Sequence, residues 1–437
     1  VEVAAMRDVQ LVTLDPGHFH AALVQKEMPN GVAPRVHVYA PVGPDVVAHL
    51  GRIAGFNGRA ARPTRWEAEV HTGPDFLRRF LDEKAGNVVI LSGRNSVKID
   101  YLEAAIQAGL NVLADKPWVI RTADLPRLEA VLNAADLRGL VAYDIMTERY
   151  EVTSILQREL VNDREVFGEP IPGSDAEPGA FMESVHYLSK TVAGAPLRRP
   201  PWFFDSTVQG EGLTDVGTHL VDLVQWILLP GQSVNFKSDL QIQAARRWPT
   251  VLTRDDFQRV TGEAEFPPFL KEHLNRGNLD YFCNTMVSYT LRGVHVRLNV
   301  LWDFEAPPGA GDTHLAVFRG THSWVAVRQE KEQEFKPELY VSPSAGHKAA
   351  VVDALARRVE QLEARWPGVA VKDQGERLWV TVPDEYRVGH EAHFGEVAGQ
   401  FFQYLEDPKL LPAWEKPNML AKYWLTTQGV EWARAKA

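Results

Sequence analysis

Residues 88–117 read VVILSGRNSVKIDYLEAAIQAGLNVLADKP. Val88-Val89-Ile90-Leu91 is a short run of apolar residues, three of them β-branched, and predicts a strand buried on both faces. Ile99 to Ala108 predicts a helix, ended by Gly109. Asn111 to Leu113 predicts the next strand, which runs into Asp115-Lys116-Pro117. Strand, helix, strand in thirty residues is the unit of a parallel sheet.

The same alternation extends both ways. Val9 to Leu14 and Val36 to Tyr39 read as strands, Glu69-Val70 as a weak third, and Gly139 to Tyr143 as a last one. Helices are expected from His20 to about Glu27, from Asp75 to Glu83 and from Leu125 to Ala134. The expectation is a doubly wound Rossmann-type domain over residues 1–147. Beyond Glu148 the pattern changes to long alternating runs. Met286–Leu291 and Val294–Trp302 flank Arg292-Gly293 and predict a hairpin. A second, α+β domain with an open, mainly antiparallel sheet is therefore expected over 148–437. Within it, residues near 345–385 read as an inserted lobe with a helix from Val351 to Trp366 and a strand from Leu378 to Val382.

Composition narrows the function classes. The 437 residues are 45% apolar and 24% charged, ordinary for a folded protein of two domains. A net charge of −10 argues against a nucleic-acid partner. One cysteine, Cys283, allows neither an intrachain disulfide nor a Cys-rich zinc site. No run of about 18 apolar residues is present, so no membrane span is expected. The chain opens on Val1 rather than Met, which implies a trimmed start or a removed leader. The expected compartment is the cytoplasm, or the periplasm if an export signal was removed.

Chemistry is sought where strands end. After the first strand the chain reads Asp15-Pro16-Gly17-His18-Phe19-His20-Ala21. A dinucleotide-binding turn wants three glycines for tight bending and close approach to pyrophosphate. Only Gly17 stands in register; Asp15 and His20 occupy the other two positions. Asp15 would bring negative charge toward a phosphate. No acidic residue closes the second strand, which reads Tyr39-Ala40-Pro41. His18 and His20 beside Asp15 suggest a metal, but no full ligand set converges in the sequence, and no metal is expected.

Lys116 follows a strand that should end at the ligand crevice, where an ammonium can hold a hydroxyl and stabilise developing negative charge. Asp215, His219 and Asp222 fall at i, i+4 and i+7 and share one helical face. His219 is a natural general base near neutral pH, and a carboxylate can orient it. Taken singly, each has a plainer reading: a solvent-facing lysine, a helix cap, a partly buried histidine.

Together these pieces resemble the glucose-fructose oxidoreductase and inositol dehydrogenase family. The resemblance rests on the Rossmann half, on Asp115-Lys116-Pro117 at a strand end where the family has Glu-Lys-Pro, and on Gly210 to His219, a Gly-rich loop leading to Asp-x-x-x-His. It spans roughly residues 9–330 and the C-terminal helices, in a divergent branch. The degenerate glycine turn is its main departure. The resemblance implies NAD or NADP as cofactor, contacted by Gly17, His18, Phe19, His20, Ser92, Asn95 and Lys116. It implies a carbohydrate-like substrate contacted by Lys116, His186, Trp202, Asp215 and His219. It further implies that Lys116, Asp215 and His219 act together at the reacting carbon and that the Lys116–Pro117 bond is cis. Tyr187, Phe203, Phe204, Arg149, His314 and Arg319 are further pocket candidates whose plainer reading is packing or ion pairing.

The implied activity is hydride transfer from a carbinol of a sugar, cyclitol or glycoside in a soluble bacterial enzyme, a homodimer or homotetramer by analogy. The same machinery also serves a glycosidase or lyase that oxidises, eliminates and re-reduces without consuming NAD. A sugar-binding protein with a decayed nucleotide site is the third reading, and Asp15 and His20 at glycine positions are its support.

Overall fold

The computed structural model describes residues 9–192 and 195–436. They form two units, one running to Thr147 and rejoined by Gly389–Leu420, the other from Glu148 to Val388 with the chain from Ala421 onward.

The first unit holds six strands: β1 (Leu11–Leu14), β2 (Arg35–Ala40), β3 (Glu67–Thr72), β4 (Val88–Leu91), β5 (Asn111–Asp115) and β6 (Ala142–Ile145). They lie in the order β3-β2-β1-β4-β5-β6, and every neighbouring pair is parallel. The order turns back between β1 and β4, which places a crevice at the carboxyl ends of those strands. All of β1 and β4 is buried, as their unbroken apolar runs require, while the edge strand β3 is exposed along nearly its whole length.

The second unit holds β7 (Ala180–Ser189), a small pair β8 (Thr191–Val192) and β9 (Ala195–Pro196), β10 (Leu240–Leu252), β11 (Leu274–Asn275), β12 (Asn278–Leu291), β13 (Val294–Glu305), β14 (Thr313–Arg319), β15 (Ser323–Gln329), β16 (Glu338–Pro343), β17 (Ala370–Asp373) and β18 (Leu378–Thr381). Nine of these run β10-β12-β13-β7-β14-β15-β16-β18-β17 in one sheet, with β11 beside β12. Only β7 and β13 pair in parallel; the other neighbours are antiparallel. The expected hairpin is β12–β13. Arg292 and Gly293 both take positive φ, 48° and 84°, the geometry of a type I′ turn. One face of the sheet packs under the helices Val152–Val161, Gly217–Leu228 and Lys348–Glu363, burying Leu156, Val224 and Leu355 against Val287, Leu298 and Leu339.

Three segments differ from the sequence reading. A helix, Pro44–Gly58, occupies a stretch left without one; three glycines weaken its pattern, and only Val46, His49 and Ile53 are buried. The segment 345–385, expected as an inserted lobe, belongs to the sheet instead. Its strands β17 and β18 continue past β16, and Val351, Leu355 and Val380 join the same core. Residues 389–420, assigned to the second domain, pack within the first unit. There the helix His390–Glu406 sets Phe394 4.6 Å from His20 and Tyr404 5.2 Å from Tyr143.

Candidate active site

In the first unit the turn after β1 is held by side chains where glycines were expected. Asp15 adopts φ of 45°, the left-handed region that a glycine at this position would fill without cost and that Asp tolerates. Tyr101 Oη donates to its carboxylate at 2.8 Å, and burial raises the acid's pKa. The amides of Gly17 and His18 both donate to the carbonyl of Ser92, at 3.0 and 3.2 Å. This brings the loop after β4 hard against the turn. A Cβ on Gly93 would lie 2.6 Å from the Asp15 carbonyl oxygen, so the approach demands glycine. The helix that follows is a single turn, His20–Leu23, shorter than expected.

Asp115, at the end of β5, gathers this loop into one network. Its Oδ1 accepts from Lys98 Nζ at 2.6 Å and its Oδ2 from Ser92 Oγ at 2.7 Å, with His20 Nδ1 3.1 Å away. Lys98 Nζ also donates to Asn95 Oδ1 and to the Asp115 carbonyl, at 2.9 and 2.8 Å. Burial alone would raise the Asp115 carboxyl, but Lys98 and then His20 hold it far below the usual carboxylate range. Burial pushes His20 down to about 4 and His18 lower than its ordinary value, so both rings are neutral at pH 7. The two rings lie 3.9 Å apart, and the Phe19 ring packs 4.5 Å from each. The next residue is Lys116, half-buried, and its bond to Pro117 is cis, as the resemblance implied. Ser92 and Asn95, expected against a cofactor, spend their side chains on Asp115 and Lys98.

In the second unit, Gly212 lies so close to β12 that a Cβ there would come within 1.9 Å of the Cys283 carbonyl oxygen. This contact fixes the Gly-rich loop. Asp215 follows, buried, its amide on the Glu211 carbonyl and its Oδ2 accepting from Gln209 Nε2 at 3.3 Å. His219 is half-buried in the first turn of the helix Gly217–Leu228. Asp222 does not serve it. Arg149 grips Asp222 through two bonds of 2.6 Å and Lys422 Nζ adds a third at 3.2 Å. Against the cost of burial, these cations bring the Asp222 carboxyl down to about 2.

His186 lies on β7 with its Nε2 2.7 Å from Ser184 Oγ and its Nδ1 3.3 Å from Asp312 Oδ2, which also accepts from Lys190 Nζ at 2.8 Å. Its ring is 4.8 Å from Trp302. Trp202 is buried in an aromatic cluster with Phe203, Phe204 and Tyr281. The polar group at that cluster is Arg199, which sequence reading passed over. Its guanidinium sits 4.7 Å over Phe203 and 5.4 Å over Trp302, and Asp215 contributes to its electrostatic surroundings. Arg319 bonds the Pro178 carbonyl and covers Trp324, a packing role. Lys98 and Gly93 were also passed over. Their signals were present: a glycine just beyond a buried strand, and a lysine three residues after Asn95.

The fold is therefore of the two-domain class that joins a parallel Rossmann-type sheet in 3-2-1-4-5-6 order to an open, mainly antiparallel sheet. The chain belongs to the oxidoreductase family whose shared region is described as "Putative oxidoreductase C terminal domain", matched over residues 156–434. Among solved structures it is similar to a "putative oxidoreductase" from Parabacteroides merdae ATCC 43184, at 46% identity over 99% of both chains with a TM-score of 0.96. GenD2 from gentamicin A biosynthesis, in complex with NAD, shares 17% identity over 99% of this chain and 97% of its own, with a TM-score of 0.58. Levoglucosan dehydrogenase, in complex with NADH, shares 13% over 98% of each chain at 0.59. The last two show the fold. No curated protein gives a significant match.

Proposed function

We propose that this protein oxidises or reduces a carbinol of a sugar, cyclitol or glycoside with a nicotinamide dinucleotide, NAD or NADP. The observation that carries the reading is Lys116, presented at the carboxyl end of β5 by the Lys98–Asp115–His20 network. Fold neighbours support it: GenD2 in complex with NAD, levoglucosan dehydrogenase in complex with NADH and levoglucosan, and KijD10, a 3-ketoreductase, in complex with NADP.

Gly17, in the turn that Gly93 lets pack against the loop after β4, would with Lys116 hold the dinucleotide. Bound there, it would supply the hydride acceptor. In this reading Lys116 holds the substrate hydroxyl and stabilises the alkoxide as its proton departs. His219 takes that proton, and Asp215, held by Gln209, positions the reacting groups. Arg199 over Trp302, with His186, offers an aromatic and polar wall suited to a sugar ring. Lys116→Ala is expected to abolish turnover with the fold intact, and His219→Asn to remove the near-neutral ionisation from the rate profile. Normal turnover, or an unchanged profile, would reassign each role.

A second reading has its own support. Asp15 holds the first glycine position of the turn, where a carboxyl would oppose a pyrophosphate, and the amides of Gly17 and His18 are already engaged by the Ser92 carbonyl. These favour a sugar-binding protein whose nucleotide site has decayed. Nucleotide released from the denatured protein, with thermal-shift titrations of NAD and NADP, separates the two. Bound or stabilising nucleotide supports the enzyme, and a sugar screen following both NADH and bond cleavage then separates dehydrogenase from glycosidase. No nucleotide and no shift support the decayed site.

A further inference from the structure

On the β2–β3 edge of the first unit, three ligand-bearing side chains share one face. Strand register pairs His37 with Glu69 and Tyr39 with His71, so all four project from the same side of adjacent strands. His37 Nδ1 lies 3.3 Å from His71 Nε2. Glu69 Oε2 is 3.9 Å from His37 Nδ1, and Glu69 Oε1 is 3.7 Å from His71 Nε2. Tetrahedral zinc bound at about 2.0–2.1 Å separates its ligand atoms by roughly 3.3–3.5 Å, so these spacings are already near those of a bound ion.

We propose that His37, His71 and Glu69 form a site for one zinc-class divalent ion, with water as the fourth ligand, which ties the exposed edge strand β3 to β2.

The surroundings supply what such a site needs. Both imidazoles are mostly buried while the Glu69 carboxylate is half-exposed, so an ion can enter from solvent. Glu83 Oε2 stands 3.6 Å from His71 Nδ1, in the position of the outer carboxylate that orients a metal-bound histidine, and Tyr39 Oη fixes that carboxylate at 2.6 Å. Arg79 Nη2 now donates to His71 Nδ1 at 2.9 Å, while its Nε donates to Glu83 at 3.0 Å. His71 therefore carries its proton on Nε2, shared with His37. Zinc would occupy that shared position. The proton moves to Nδ1 and faces Glu83, and Arg79 keeps its bond to Glu83. Glu69 and Glu83 thus offer two carboxylates, faced by the Arg79 guanidinium and, acting on His37, by that of Arg35.

The other group of ligand type in the described residues, His18, His20 and Asp115, has one carboxylate and that one is taken. There Lys98 Nζ already neutralises Asp115 at 2.6 Å, and a second cation would be repelled.

The test is zinc chloride titrated into chelator-treated, dialysed full-length protein, read by calorimetry and by competition with a chromophoric chelator. One ion per chain with low-micromolar affinity and a higher unfolding midpoint is expected. His71→Ala and Glu69→Gln should each weaken binding about tenfold or more, and Glu83→Gln by about tenfold through the outer contact. A His18→Ala/His20→Ala variant should bind as before. Glu69→Gln changes a half-exposed side chain, and circular dichroism checks its fold. No saturable uptake, millimolar binding, unchanged affinity in Glu69→Gln, or loss in the His18/His20 variant would each overturn the proposal.

Discussion

Lys98 brings its ammonium to a 1% exposed position and meets three oxygens, two of them from Asp115. Removing one partner of such a pair leaves the other charge stranded, at a cost of about 3–5 kcal/mol. Lys98→Met should lower the unfolding midpoint accordingly, and Lys98→Met/Asp115→Asn should recover part of the loss; equal midpoints for the two would mean the pair is not coupled. Lys116 was legible because a strand end in a parallel sheet marks a crevice whatever the rest of the fold does. Lys98 was not, since a lysine opening an amphipathic helix looks solvated until Asp115, 17 residues later, is folded beside it. Asp222 misled for the same reason. Helical spacing put it with His219, but its partners Arg149 and Lys422 come from distant sequence.

Among elements, the loop before the helix Gly217–Leu228 is the most tightly specified. Gly212→Ala would drive a Cβ into the Cys283 carbonyl, backbone against backbone, with no flexible side chain to give way. A loss of about 3 kcal/mol is expected in denaturant titration. Gly93→Ala has a smaller stability effect but should displace the turn at Asp15 and Gly17, and so weaken any nucleotide shift more than it lowers the midpoint. Strands were read well where apolar runs were continuous, as in β1 and β4, or alternated around a turn, as in β12 and β13. The helix Pro44–Gly58 was missed because Gly51, Gly55 and Gly58 dilute its periodicity and few of its side chains reach the core. The run 345–385 looked separate because its helix is highly charged; its place in the sheet comes from pairing with β16, which no local pattern encodes.

For the molecule as a whole, burial sets the response to pH. His20 and His49 titrate at about 4 in the folded chain, against about 6.5 when unfolded. The unfolded chain therefore takes up protons that the folded one refuses, and stability falls as pH drops from about 6.5 to about 4. Asp222 and Asp312 act lower. Their carboxyls, brought down to about 2, contribute fully above the unfolded value near 4 and lose that contribution as pH falls toward 2. Unfolding midpoints measured across pH should show a plateau above about 7 and then two stages of decline. His49→Leu should shrink the upper stage, since His49 is buried with neither ring nitrogen hydrogen-bonded; an unchanged curve would exclude its part.

The return of residues 389–420 to the first unit has a consequence during synthesis. All six strands of the parallel sheet have been made once the ribosome passes Ile145. Yet Phe394 and Tyr404, which cover His20 and Tyr143, emerge only after the whole of Glu148–Val388 has been translated. The first third of the chain must therefore wait, with an apolar face open, for a helix encoded beyond Val388. A nascent chain stalled before residue 389 should be cut readily by protease within its first 147 residues, and one stalled past the last helix should resist.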